Sequence, residues 1–358
     1  MLPYFIPPRA HRPDVNGLAR AGGQRGARAR AGLMAALLLL CAAVLFAGCG
    51  SKAERSEGKA DSGGKAKQKT GPGTPFRGEA FEASGVVFVP GTNGVLFIDD
   101  NKEDKIFWMQ VDESGQQVGE VKPIPLGVRV QDPEGITFDG SYYYIIGSQS
   151  VDKRGDENAL VRFAFDPNTL SVSKAEAVPN FRAFLFDKVP ELKGEGEKKA
   201  KDGGLNVEAI AADPVNMRLL VGLRSPVVNQ QALIIAFRLP AAGAPLSASG
   251  LQLAEPHAIH LPLGDLGIRD IQYDGKLKSF FIISGAPEHH ESPDFELWQW
   301  DGAGDQPASG PGLRKMSIKL NQKMKPEGVT RVEMNGRDYI FIVGDGGSYL
   351  KLDYADLQ

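Results

Sequence analysis

Between Ser84 and Asp345 short apolar runs alternate with turn-forming residues, and one arrangement of polar and apolar positions returns five times. It begins at Ser84-Gly85-Val86-Val87-Phe88, Glu134-Gly135-Ile136-Thr137-Phe138, Glu208-Ala209-Ile210-Ala211-Ala212, Asp270-Ile271-Gln272-Tyr273-Asp274 and Glu327-Gly328-Val329-Thr330-Arg331. After a few turn residues each is followed by a second apolar run: Val95 to Asp99, Tyr142 to Gly147, Leu219 to Gly222, Phe280 to Gly285 and Tyr339 to Gly344. The starts are 50, 74, 62 and 57 residues apart. Short strands repeating at that period predict radial β repetition, an all-β propeller.

The second unit reads most fully. Glu134 to Phe138 predicts a strand, Asp139-Gly140 a turn, and Tyr142 to Ile146 a strand rich in aromatic and β-branched residues. Ala159 to Phe165 gives a third strand, and the more polar Leu170 to Val178 an outer fourth. Third strands recur at Lys105 to Val111, Ala232 to Leu239, Phe295 to Trp300 and Tyr349 to Tyr354; fourth strands at Gln117 to Ile124, Leu251 to His260 and Leu313 to Leu320. The last unit lacks its outer strand. Phe76 to Glu82 is the predicted donor, pairing the two ends of the chain in one blade and removing two free edges. Five four-stranded blades result, or six if residues 180–204 hold a degenerate one. Those residues read instead as a short helix around Phe184 to Leu192 and a charged loop at Lys193 to Lys199.

In such a ring the first strand of each blade lines the central channel, and its start shares a face with the end of the second strand. Strand starts supply Ser84, Glu134, Glu208, Asp270 beside Arg269, and Glu327; strand ends supply Asp99-Asp100, Ser148-Gln149, Arg224-Ser225, Ser284 and Asp345. Glu134, Glu208, Asp270 and Glu327 are therefore candidate metal ligands, and Asp99, Asp100, Gln149, Arg224, Arg269 and Asp345 candidate ligand-binding residues. Converging carboxylates suit calcium, which takes six to eight oxygens. They equally suit a structural role, stapling neighbouring blades through amide groups and Arg224 or Arg269. Either way acids packed so closely need a positive partner: Arg224, Arg269, Lys325 or a metal. Glu288-His289-His290-Glu291 opens on the same face, but adjacent histidines diverge. His257 and His260 fall on opposite faces of a strand, and Trp108, Trp298 and Trp300 read as packing between blades. No nucleophile elbow, zincin motif or phosphate-cradling loop occurs.

The N-terminus has a different pattern. Arg25, Arg28 and Arg30 precede an uncharged stretch, Ala31 to Gly48, in the charged-then-apolar order of a signal peptide. Leu45-Phe46-Ala47-Gly48-Cys49 matches a bacterial lipobox apart from Phe46, where Leu is usual. Residues 1–48 are expected to be removed and Cys49 to be acylated. The alternative is a retained span, for which the stretch is short. Residues 49–74 carry the lipidated cysteine and a Gly-, Ser-, Lys-, Ala- and Glu-rich tether that cannot bury enough apolar surface to order itself. Residues 75–358 form the propeller. Gly50 follows Cys49, and no Asp there signals inner-membrane retention, so the expected location is the cell envelope, on the periplasmic side of an outer membrane if there are two membranes. Cys41 is the other cysteine of two and leaves with the leader. Of 41 basic and 44 acidic residues, residues 1–48 hold six Arg and one Asp, leaving 35 and 43, or −8. That balance argues against nucleic acid as a partner.

Gly204-Leu205-Asn206-Val207-Glu208-Ala209-Ile210, with Gly222-Leu223-Arg224-Ser225-Pro226 and Gly267-Ile268-Arg269-Asp270-Ile271, resembles an uncharacterised bacterial family, a domain of unknown function marked by a Gly-Leu-Asn motif and found on secreted or lipid-anchored proteins. The resemblance spans about residues 80–355. More distantly, Asp132-Pro133-Glu134-Gly135-Ile136 and the repeated Glu-Gly-Ile/Val starts are similar to esterase-like phytase propellers. That likeness implies calcium and basic residues holding a phosphate ester, although Lys and Arg at this mouth are few. Two functions stay open: a lipid-anchored, monomeric propeller binding a small molecule, glycan or protein on its acidic axial face without catalysis, or a calcium-dependent phosphoester hydrolase. In the second, Glu134, Glu208, Asp270 and Glu327 would hold metal while Arg224 and Arg269 clamp phosphate.

Overall fold

Five blades in a closed ring, as the repeat predicts, make up the computed structural model, which describes residues 70–151, 158–241, 243–287, 295–307 and 310–357. The signal peptide, Cys49, the tether up to residue 69 and the Glu288–Glu291 stretch lie outside the described residues. Among the described residues twenty strands form five antiparallel sheets of four. Blade I is Ala83–Phe88, Gly94–Asp99, Lys105–Val111 and Gln117–Pro125; blade II is Pro133–Phe138, Tyr143–Gly147, Leu160–Asp166 and Ser171–Val178. Blade III is Asn206–Asp213, Arg218–Ser225, Ala232–Arg238 and Ile259–Leu261; blade IV is Gly267–Asp274, Ser279–Gly285, Glu296–Trp300 and Leu313–Lys319. Blade V is Pro326–Met334, Arg337–Gly344, Ser348–Asp353 and the N-terminal Thr74–Pro75. First strands pack against one another in the cyclic order I to V and back to I, so the ring is closed.

Burial follows the polarity gradient along blade I. The first two strands of blade I are almost wholly buried, whereas its fourth is mostly exposed. The core consequently lies in wedges between blades. One joins Phe97 and Phe107 of blade I to Phe341 and Tyr349 of blade V, and another joins Trp108 of blade I to Tyr143 and Phe163 of blade II. In blades II, III and IV the turn between first and second strands is held by an aspartate that ends the first strand or follows it. Asp139 accepts from the Ser141 and Tyr142 N–H groups, Asp213 from Val215 and Asn216, and Asp274 from Lys276 and Leu277.

One expectation changes in detail, and another is met. The strand that completes blade V is Thr74–Pro75, pairing with Tyr349 and Ser348, and not Phe76 to Glu82. Phe76 lies just beyond it and packs its ring on Phe81, Phe97 and Tyr349. Residues 180–204 hold no sixth blade. They form a helix, α1 (Phe181–Lys188), and three short 3₁₀ turns. Phe181 and Leu185, one turn apart, bury against the wedge between blades II and III, and Leu192 follows them. From there the chain crosses to the axial face at Ala200 and Lys201.

Candidate functional site

Each first strand opens with a β-bulge, and the five bulges define the axial site. In blade I the pairing steps from Ala83 to Gly85, leaving Ser84 out of the ladder. In the same way Glu134, Glu208, Arg269 and Glu327 are left out in blades II, III, IV and V. A bulged residue is re-aimed relative to the pleat. All five line one cavity of about 390 Å³, shared with Asp100, Asp132, Ser150, Lys201, Asn206, Arg224 and Asp345. The residue after each bulge is Gly85, Gly135, Ala209, Asp270 or Gly328, small in four cases. Close approach of the next blade requires this: a Cβ on Gly328 would lie 2.8 Å from the Val86 nitrogen, and one on Gly135 2.9 Å from that of Ile210.

The repeat read from the sequence is therefore offset by one residue in blade IV. Arg269, and not Asp270, stands where the other blades place an acid or a serine. Asp270 is fully buried, and its Oδ2 accepts the Val329 N–H of blade V at 2.7 Å. A one-residue shift in a strand moves a side chain to the opposite face. Burial, only partly opposed by backbone N–H groups of Val329 and Ile271, holds its carboxyl well above the usual range. Asp270 is a staple between blades.

The ring thus contains its own counter-charge. Arg269 pairs with Glu327 of blade V and with Glu208 of blade III, its Nε 2.8 Å from Glu208 Oε2. That contact is misaligned, so neither atom completes a hydrogen bond. Arg224 donates to Glu208 Oε1 at 2.8 Å and to the Ala286 carbonyl at 3.1 Å, while Asn206 Nδ2 donates to the same carboxylate at 3.0 Å. Asp345 is met by Lys325 at 2.6 Å. Glu134 differs from these acids. Its carboxyl faces the cavity with no hydrogen bond or ion pair among the described residues. Burial, then Glu208 and Asp132, push that carboxyl well above the ordinary value, against a smaller pull from Arg269. Asp100, on the same cavity wall, is pushed up to about 7 by burial and then by Glu82, Asp99, Asp345 and Asp132. Its Oδ1 accepts from Asn101 Nδ2 at 2.7 Å.

Below the ring the channel is crossed. Gln272 of blade IV donates across the axis to the Ile136 carbonyl of blade II at 2.7 Å, and Thr137 donates to Gln272 Oε1 at 3.3 Å. The site is a pocket with a floor.

Of the predicted residues, Asp100, Arg224, Arg269 and Asp345 line the cavity with Glu134, Glu208 and Glu327. Asp99 does not: it is buried and accepts the Glu82 and Asn101 N–H groups, which shapes the turn that presents Asp100. Gln149 is also buried, with Nε2 on the Gly147 carbonyl at 3.0 Å. Lining residues not singled out beforehand are Asp132, Ser150, Ala200, Asn206 and Lys201. The first two stand beside predicted positions, while Lys201 arrives on the insertion and carries no repeat signal. The four acids expected to hold calcium are not gathered around one point, since Asp270 is turned away and Glu208 and Glu327 are engaged by arginines. Among the described residues no group of three or more His, Cys, Asp or Glu is arranged to hold a metal ion.

Residues 183–348, from the insertion to blade V, match the model of a family described as a protein of unknown function, DUF3616. The Gly-Leu-Asn motif and both arginines of the cavity fall inside that match. No curated protein sequence matches the chain. Among solved structures, the PQQ domain of pyranose dehydrogenase from Coprinopsis cinerea is 10% identical over 77% of this chain and 93% of that one, with a TM-score of 0.42. The major Malassezia sympodialis allergen Mala s 1 is 12% identical over 77% and 80%, with a TM-score of 0.37. A protein described as a glucose dehydrogenase is 11% identical over 78% and 98%, with a TM-score of 0.41.

Proposed function

We propose that this protein is an envelope propeller, held at the membrane through acylated Cys49, that binds a small polar ligand in its axial cavity without transforming it. The observation that carries this reading is the convergence of the five bulge residues, one from each blade, on a floored cavity of about 390 Å³, a size at which small-molecule pockets form. The lack of catalysis is inferred from the same wall. Ser84 and Ser150 are its hydroxyls, no histidine or cysteine among the described residues lines it, and its two arginines and two of its glutamates are engaged with one another. The phosphoester hydrolase reading has less support, because Arg224 and Arg269 are held by glutamates instead of facing the cavity as an open clamp.

A thermal-shift screen of sugars, amino acids, amines and phosphate esters tests the proposal, run on the wild type and on Asp100→Trp, which puts a bulky plug on the cavity wall. The expected result is a compound class that stabilises the wild type in proportion to its excess over Kd and loses its effect in the variant. Stabilisation that survives the plug, or turnover of a phosphate ester by the wild type, would overturn it.

A further inference from the structure

The two walls of the axial cavity are not alike. On the side of blades III to V the charges are spoken for: Glu208 by Arg224, Arg269 and Asn206, Glu327 by Arg269, and Asp345 by Lys325. On the side of blades I and II stand Ser84, Asp100 and Glu134, and the Glu134 carboxyl has no hydrogen bond or ion pair among the described residues. A half-buried carboxylate that lines a cavity without a protein partner is free to receive a cationic group of a ligand.

Resting on the reading of this cavity as a ligand site, we propose that its ligand presents an organic cation, an ammonium or amidinium group on a small molecule, to Glu134 on the wall formed by blades I and II. An organic cation fits better than calcium for two reasons. Calcium needs six to eight oxygens, and no three-acid group able to hold a metal exists among the described residues. An ammonium needs only a few acceptors at ordinary hydrogen-bond distance, which Glu134 and Asp100 or Ser84 supply. The cavity volume exceeds what a bare ion fills and leaves room for a carbon skeleton. The charged groups facing Glu134 are Glu208, Asp132 and Asp100, which favour its protonated form, and Arg269, which opposes them. Binding a cation therefore displaces a proton, and affinity rises with pH through the titration of Glu134.

Titration calorimetry with putrescine, agmatine, calcium chloride and inorganic phosphate as probes tests this on the folded wild type, Glu134→Gln and Glu134→Asp. Putrescine or agmatine is expected to bind with release of protons, read from the dependence of heat on buffer ionisation. Glu134→Gln is expected to weaken binding about tenfold or more, and Glu134→Asp to restore part of it. Equal affinity in wild type and Glu134→Gln, calcium binding that depends on Glu134, or no amine binding at all would overturn the proposal. In the last case, hits of another class blocked by Asp100→Trp would leave the ligand-binding reading intact, so the two fail separately.

Discussion

Asp100 and Asp213 are both acids at blade ends, yet their surroundings push them in opposite directions. Asp213 is buried, but hydrogen bonds from Asn216 and Arg218 outweigh that burial and hold it below the usual range. Asp100 has no cation paired with it among the described residues, and burial among Glu82, Asp99, Asp345 and Asp132 raises it from 3.8 to about 7. The folded protein thus keeps a proton on Asp100 over a pH range in which the unfolded chain has lost it. The stability linked to that proton is complete below the unfolded value and lost as pH rises through the folded one. Asp100→Asn is accordingly expected to melt higher than wild type by about 2–4 °C at about pH 8, with the gap closing by about pH 4. Melting curves across that range check this; a gap that widens toward acid would contradict it. Acids such as Asp213 lose stability as pH falls, but they do so in both proteins and cancel in the difference.

At the scale of the element, the Gly-Leu-Asn motif joins the insertion to blade III. A Cβ on Gly204 would lie 1.8 Å from the Lys198 carbonyl oxygen, Leu205 is fully buried in the wedge, and Asn206 donates to Glu208. The motif therefore fixes the turn that brings Ala200 and Lys201 over the cavity and orients a carboxylate of the ring. Gly204→Ala must displace backbone and is expected to cost about 1–3 kcal/mol, read as a lower urea midpoint at unchanged slope. An unchanged midpoint would mean that the insertion is not held by this contact. Strands of this protein are legible because apolar alternation marks each hairpin locally and aspartate turns mark those of blades II, III and IV. The insertion is legible only as a helix and loop. Its position over the channel depends on the wedge that receives Phe181 and Leu185, a contact with no local signature.

For the whole molecule, ring closure is legible in kind and displaced by a few residues, because Thr74–Pro75 is too short to show alternation. The axial site is legible as a face, since a propeller must bring its strand starts together. Its composition is not, because matching Asp270 to the glutamates preserves an acid at every unit except the first, whereas the bulge register selects Arg269. That substitution turns a ring of mutually repelling carboxylates into one with a shared counter-ion, leaving Glu134 as the acid for a ligand. A double-mutant cycle tests this arrangement most directly, with unfolding free energies measured for Glu208→Gln combined with Arg269→Gln and, separately, with Asp270→Asn. The expected coupling is about 1–3 kcal/mol between Glu208 and Arg269 and within error of zero between Glu208 and Asp270. Coupling of Glu208 to Asp270, with none to Arg269, would contradict it.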